Sequence, residues 1–262
     1  MPDERAPRID RARSASGDEL KSLIHETEED VLLAMLENPH LEDPHVASLL
    51  ERLDLSAKVV AAVAAQSKWA ANEGIRLRLA RHPRTPRRIA LALLRQLFLF
   101  NLARLSLFPS APAEIRRVAE ELIITRIPHL AIGEKLTLAR RGPSRVAGAI
   151  LAEGHPQAIK LALCNSFLTE SQVLKVLAKA GVQVRVVAAV AQHPKWSVQY
   201  NVRVALLRNP HTPVPCLLAF LPNLTLRDLK DISKLESLAP HVKRYIQQEL
   251  ARRAHGAPER EK

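Results

Sequence analysis

Shifted by 127 residues, the chain aligns with itself without a gap, residues 31–126 pairing with residues 158–253. Val59-Val60-Ala61-Ala62-Val63-Ala64 returns as Val186-Val187-Ala188-Ala189-Val190-Ala191, and Lys68-Trp69 returns as Lys195-Trp196. Arg81-His82-Pro83-Arg84-Thr85-Pro86 returns as Arg208-Asn209-Pro210-His211-Thr212-Pro213. Such self-similarity implies a tandem duplication, built from stacked supersecondary units that bury a core only by packing on their neighbours. It constrains the architecture far more than the activity.

The repeated segments read as helices. Apolar residues recur at i, i+3, i+4 and i+7, as in Val173, Val176, Leu177 and Ala180. Proline marks the joints: Asn38-Pro39, His82-Pro83, His193-Pro194 and Asn209-Pro210 end helices. Thr85-Pro86, Thr212-Pro213 and Asp43-Pro44 place a capping side chain before a proline at the first helical position. Thr169 with Gln172 has the spacing of a capping box. The pattern predicts about fifteen short helices and no strand.

The segment Val202-Arg203-Val204-Ala205-Leu206-Leu207-Arg208-Asn209-Pro210-His211-Thr212-Pro213, followed by Leu217-Leu218, resembles the leucine-rich-repeat-variant type of helical repeat, and more loosely the HEAT-like solenoids. Residues 75–94 match it less closely. The resemblance implies an all-α fold, an α-solenoid in which short antiparallel helix pairs form a superhelix, and a role as a binding scaffold. It implies no catalytic residue. Some proteins of the leucine-rich-repeat-variant type hold an iron–sulfur cluster on a cysteine-rich segment, which Cys164 and Cys216 are too few and too far apart to provide. The expected organisation is a single solenoid over residues 18–254, with an acidic capping region at 18–54 and disordered tails at 1–17 and 255–262.

Composition narrows the chemistry. Aromatic residues are 3% of the chain, too few for a base-stacking platform. Cys164 and Cys216 lie in apolar runs and read as buried, reduced thiols; with a charged N-terminal segment that lacks an apolar signal core, they predict a cytoplasmic protein. Residues 89–108 are the most apolar stretch, but Arg95, Asn101 and Arg104 interrupt it, so it reads as two core helices and not as a membrane span.

The net charge of +12 is unevenly placed. Residues 18–54 carry eleven acids against Lys21 and Arg52, a net of −9, and everything after Asp54 carries +20. Two windows, 74–113 and 171–227, contain no acid at all. Lys58, Lys68, Arg76 and Arg81 correspond to Arg185, Lys195, Arg203 and Arg208, so a repeat would present them as a basic row able to attract a polyanion. A solvated, Arg-rich face is the plainer reading of the same residues. The acidic region is expected to be a terminal capping repeat with a polar outer face; the alternative is that it also attracts that basic row, in its own chain or in a neighbour's.

The candidate binding surface is therefore Lys68, Trp69, Arg76, Arg81, Arg84, Arg88, Arg185, Lys195, Trp196, Arg203 and Arg208. The two tryptophans are either paired contact anchors or structural plugs between layers. His40, Glu42, Asp43 and His45 share one turn and are weighed as a metal site, against the simpler role of Asp43 as a helix cap. His25-Glu26 begins a zinc-protease motif without its second histidine, and Asp228, Lys230, Asp231 and Lys234 read as a solvated ionic face. No phosphate loop or nucleophile elbow is present, and helical-repeat DNA glycosylases offer only a fold-level analogy. The expected function is a non-enzymatic scaffold whose basic surface takes an acidic protein or peptide. The alternative is a nucleic-acid-binding solenoid that grips DNA or RNA by phosphates. No metal, cofactor or membrane partner is expected.

Overall fold

A computed structural model of the chain describes residues 5–235, 238 and 240–255. Among them the fold is all-helical. The chain divides into two compact units, Met1–Arg126 and Ile127–Lys262.

The first unit holds α1 (Arg5–Ser14), α2 (Gly17–Leu23), α3 (Glu29–Met35), α4 (Asp43–Leu49), α5 (Ala57–Ala65), α6 (Ser67–Ala71), α7 (Glu73–Arg81), α8 (Arg87–Gln96), α9 (Leu99–Ser106) and α10 (Ala113–Arg126). Helices two apart pack side by side: α1 on α3, α3 on α5, α5 on α7, and α7 on α9. Each is short, and its apolar side chains form one stripe, such as Val59, Val60 and Val63 of α5, all fully buried. Burial of each valine contributes roughly 1.5–3 kcal/mol, which such short helices need because they are not stable alone.

The second unit holds α11 (Ile132–Arg141), α12 (Ser144–Glu153), α13 (Pro156–Leu163), α14 (Glu170–Leu177), α15 (Val184–Gln192), α16 (Tyr200–Arg208), α17 (Val214–Phe220), α18 (Leu226–Ser233) and α19 (Pro240–His255). Here too α11 packs on α13 and α13 on α15, while α12 packs on α14, α14 on α16, and α16 on α18. Residues 89–108 form α8 and α9, as expected, and no helix among the described residues is long and apolar enough to cross a membrane.

Individual hydrogen bonds recur in the two units. The buried Asn38 amide donates to the carbonyls of Ala12 and Ala15, and the buried Asn165 amide donates to those of Ala139 and Gly142. Arg76 donates to Ala70 O and Arg203 to Ser197 O. Arg8 pairs with Glu26, and Lys135 with Glu153.

Several local expectations are corrected. Residues 5–14, read as disordered tail, form α1, whose Ala12 and the following Ala15 are buried against α3. Alanine buries little area, so periodicity understates such a helix; residues 1–4 and 256–262 lie outside the described residues. Thr85 and Thr212 do not cap the helices that follow them. Each hydroxyl donates backward, to Leu79 O at 2.5 Å and Leu206 O at 2.7 Å, satisfying a carbonyl at the end of the preceding helix, and Pro86 and Pro213 occupy the N-cap position. Thr169 makes no cap bond, its hydroxyl lying 3.0 Å from the Ser144 hydroxyl. Cys164 is exposed and Cys216 half-buried, both free. The buried stripe of α13 is Ala158, Ile159, Ala162 and Leu163, and Cys164 falls off it.

Carboxylates at these joints make stability depend on acid. The Thr27 backbone N–H, and then Arg8, hold Glu26 below the ordinary glutamate range, and Arg252 does the same for Glu249. A depressed carboxyl stabilises the fold above its ordinary range and loses that contribution as protons bind. The melting temperature should therefore fall steeply as pH drops through about 4, where these carboxylates take up protons. An unchanged melting temperature down to about pH 3 would contradict this.

Candidate functional site

The candidate residues fall into two sets. Arg76 is built into the fold: it donates to the carbonyls of Ala70, Ala71 and Gln96 and pairs with Glu73 at 2.9 Å. Arg203 is held by Ser197 O and faces the Phe220 ring. Arg81 stacks on Phe108 and pairs with Glu51, which also takes Arg78. Lys68 reaches Leu41 O and lies over the Trp69 ring, 4.3 Å from its centroid. Trp69 and Trp196 are buried to 1% and 2% exposure, so they are plugs and not contact anchors.

The second set is exposed. Arg84, Arg88, Arg185, Lys195 and Arg208 make no ion pair with any described residue, although Lys195 lies over Trp196 as Lys68 does over Trp69. The acids of residues 18–54 explain the difference between the units. In the first unit Glu29 pairs with Lys58 at 3.1 Å, Glu37 with Arg13, and Glu51 with Arg81. The positions 127 further on are Pro156, Cys164 and Ala178. Residues 1–126 thus hold 19 Lys and Arg against 18 Asp and Glu, a net of +1, while residues 127–262 hold 20 against 9, a net of +11.

One of the exposed arginines lines a groove. Between α13 and α15 lies an open cleft of about 540 Å³, with Ile159, Leu163 and Ala189 on its apolar side and Lys160, Arg185, Gln192 and His193 as its polar groups. Arg185 is aimed by a chain of contacts. Gln183 donates to Glu153 O at 2.7 Å, and its Oε1 accepts from Arg185 Nε at 2.6 Å. Gln183 can lie there because residue 154 is glycine: a Cβ at Gly154, whose φ is +75°, would stand 2.5 Å from Gln183 Oε1. His193 accepts the Lys195 backbone N–H on Nδ1, which places its own proton on Nε2, 3.7 Å from Cys164 Sγ. Burial, and then the charge of Lys195, depress its protonation, so it is neutral at neutral pH.

Lys160, His193 and the groove itself were not visible as candidates in the sequence. The signal that marks them is the divergence of the two halves, Leu33 against Lys160 and Glu29 against Pro156, whereas the candidate row rests on positions the halves share. A smaller cavity of about 240 Å³ in the first unit is lined by Leu77, Leu105, Leu107, Phe108, Arg81 and Arg104; Glu51 pairs with Arg81, while Arg104 is exposed.

The turn bearing His40, Glu42, Asp43 and His45 serves α4. Glu42, not Asp43, is the N-cap; its N–H donates to His45 Nδ1, and Asp43 accepts from Asn72 at 2.5 Å. Among the described residues no three metal-ligating side chains converge. Asp228 is fixed by Tyr200 and Thr225, tying α16 to α18, and Lys234 pairs with Asp231 at 3.5 Å.

Compared with protein-family models, with curated proteins and with solved structures, the chain has no significant match.

Proposed function

We propose that this protein is a non-enzymatic helical-repeat scaffold, formed by tandem duplication as an α-solenoid of the leucine-rich-repeat-variant or HEAT-like kind, and that it binds an acidic protein or peptide through its second unit. The duplication is supported by helices that begin at Arg5 and Ile132, at Gly17 and Ser144, and at Glu29 and Pro156, and by side-chain hydrogen bonds that recur at the same interval. The observation that carries the binding reading is an apolar-sided groove flanked by cations that pair with no acid among the described residues, in a unit of net charge +11. A sugar-phosphate backbone has no use for the apolar wall, and an aliphatic side chain between acidic ones does. The nucleic-acid alternative rests on the same net charge alone.

Fluorescence anisotropy of the full chain against a short Glu-rich peptide, duplex DNA, single-stranded DNA and RNA tests the reading across a salt series. The expected result is peptide binding that weakens with salt, and further weakening on Lys195→Glu or Arg208→Glu. DNA or RNA binding that falls on the order of a thousandfold between roughly 50 and 200 mM salt, with no peptide binding, would replace this reading with the phosphate-gripping one. Arg76→Glu and Arg203→Glu should instead act on stability, because their guanidinium groups hold backbone carbonyls.

A further inference from the structure

The first unit contains its own version of the groove-flanking arginine, already paired. At the start of α3, Glu29 forms an ion pair with Lys58, 3.1 Å away. The equivalent positions in the second unit are Pro156 and Arg185. The cation is retained and its carboxylate is gone. Gln183 engages Arg185 only through Nε, which leaves the two terminal nitrogens of the guanidinium fork without a partner among the described residues. Lys160 on α13 replaces the aliphatic Leu33 of α3, adding a second exposed cation to the same groove.

We propose that the α13–α15 groove is a docking site for an acidic peptide segment, whose carboxylate engages Arg185 as Glu29 engages Lys58, with an aliphatic side chain against Ile159 and Leu163 and a second carboxylate on Lys160. This rests on the scaffold reading above and specifies its site. A carboxylate, and not a phosphate, is the ligand group because the chain itself supplies one at the equivalent place. The fork of Arg185 suits it better than the single ammonium of Lys58, since two parallel N–H donors match two carboxylate oxygens. Gly154 and Gln183 serve as positioning residues: they hold Arg185 at the groove before a ligand arrives, which lowers the ordering cost of binding.

The test restores the missing carboxylate. Pro156→Glu puts an acid at the first position of α13, where a helix accepts it readily, and lets it occupy Arg185 from within. Binding of a fluorescein-labelled peptide of alternating Glu and Leu to the full chain should weaken roughly tenfold or more. Gln157→Glu adds the same charge one residue away and should weaken binding by no more than about twofold, the effect of net charge alone. Arg185→Gln should match the loss caused by Pro156→Glu, and the double variant should lose less than the product of the two, as expected of groups that act as one pair. Equal losses for Pro156→Glu and Gln157→Glu would overturn the groove while leaving the acidic-partner reading standing. No binding of the peptide by the unaltered chain would overturn both. Displacement of the peptide by single-stranded DNA, with Pro156→Glu weakening DNA by the same factor, would overturn the peptide as the groove's occupant.

Discussion

Trp196→Ala is expected to destabilise the second unit by about 4 kcal/mol, as large-to-small changes at buried aromatic positions do. Trp196 is 2% exposed, and its Nε1 donates to Leu163 O at 2.9 Å, joining the turn after α15 to the end of α13. Its counterpart makes the prediction sharper. Trp69 is equally buried, but its Nε1 has no partner among the described residues, because Gln66 reaches the equivalent carbonyl, Leu36 O, at 3.0 Å. In the second unit His193 stands in place of Gln66 and turns instead toward Cys164. Replacing each tryptophan by phenylalanine removes the same volume and isolates that difference. Trp196→Phe should cost more than Trp69→Phe by about 1–3 kcal/mol, since one change breaks a buried hydrogen bond and the other removes an unsatisfied donor. Urea denaturation of both variants checks this, and equal losses would contradict it.

Asn165→Ala is expected to cost about 3 kcal/mol. The side chain is 1% exposed and makes three hydrogen bonds: to Ala139 O at 2.8 Å, to Gly142 O at 3.0 Å, and from the Phe167 N–H at 2.7 Å. Its removal strands two carbonyls at the end of α11 and one N–H, all without an apolar group to replace them. Asn165→Asp keeps the shape but turns a carboxylate toward those carbonyls, so it should cost more than the alanine change. The same pair of substitutions at Asn38, which binds Ala12 O, Ala15 O and the His40 N–H, should give the same order of effects. Insensitivity at either asparagine would mean that the recurring bond is not what holds the helix ends together.

The helices were largely legible because the sequence repeats its own signals at an interval of 127 residues. Proline stops such as His82-Pro83 and apolar stripes such as that of α15 appear twice in one chain, and the structure places helices on both. Helix α1 was not legible, since a helix that packs through Ala12 and Ala15 carries almost no apolar periodicity. Threonine before proline misled for a related reason: the pair fits a cap in either direction, and only tertiary position decides whether the hydroxyl turns to the helix ahead or the one behind. Charge was the least legible layer. Arg76 and Arg208 look alike in sequence, yet one is threaded into backbone carbonyls and the other is exposed. Pairing depends on which acid lies across the neighbouring helix, as Glu51 does for Arg81, and no property of the arginine itself reveals it. Shared positions thus report mainly on the fold, and differences such as Glu29 against Pro156 report on the charge that the fold leaves unpaired.

Photo-crosslinking locates the acidic ligand along the chain. A Glu-rich peptide carrying a photoreactive group would be irradiated with the full chain and its attachment sites mapped by mass spectrometry. Attachment is expected on Pro156–Leu163 and Val184–Gln192, with the yield falling as salt rises. Attachment concentrated in residues 1–126, or spread evenly along the chain at every salt concentration, would contradict it.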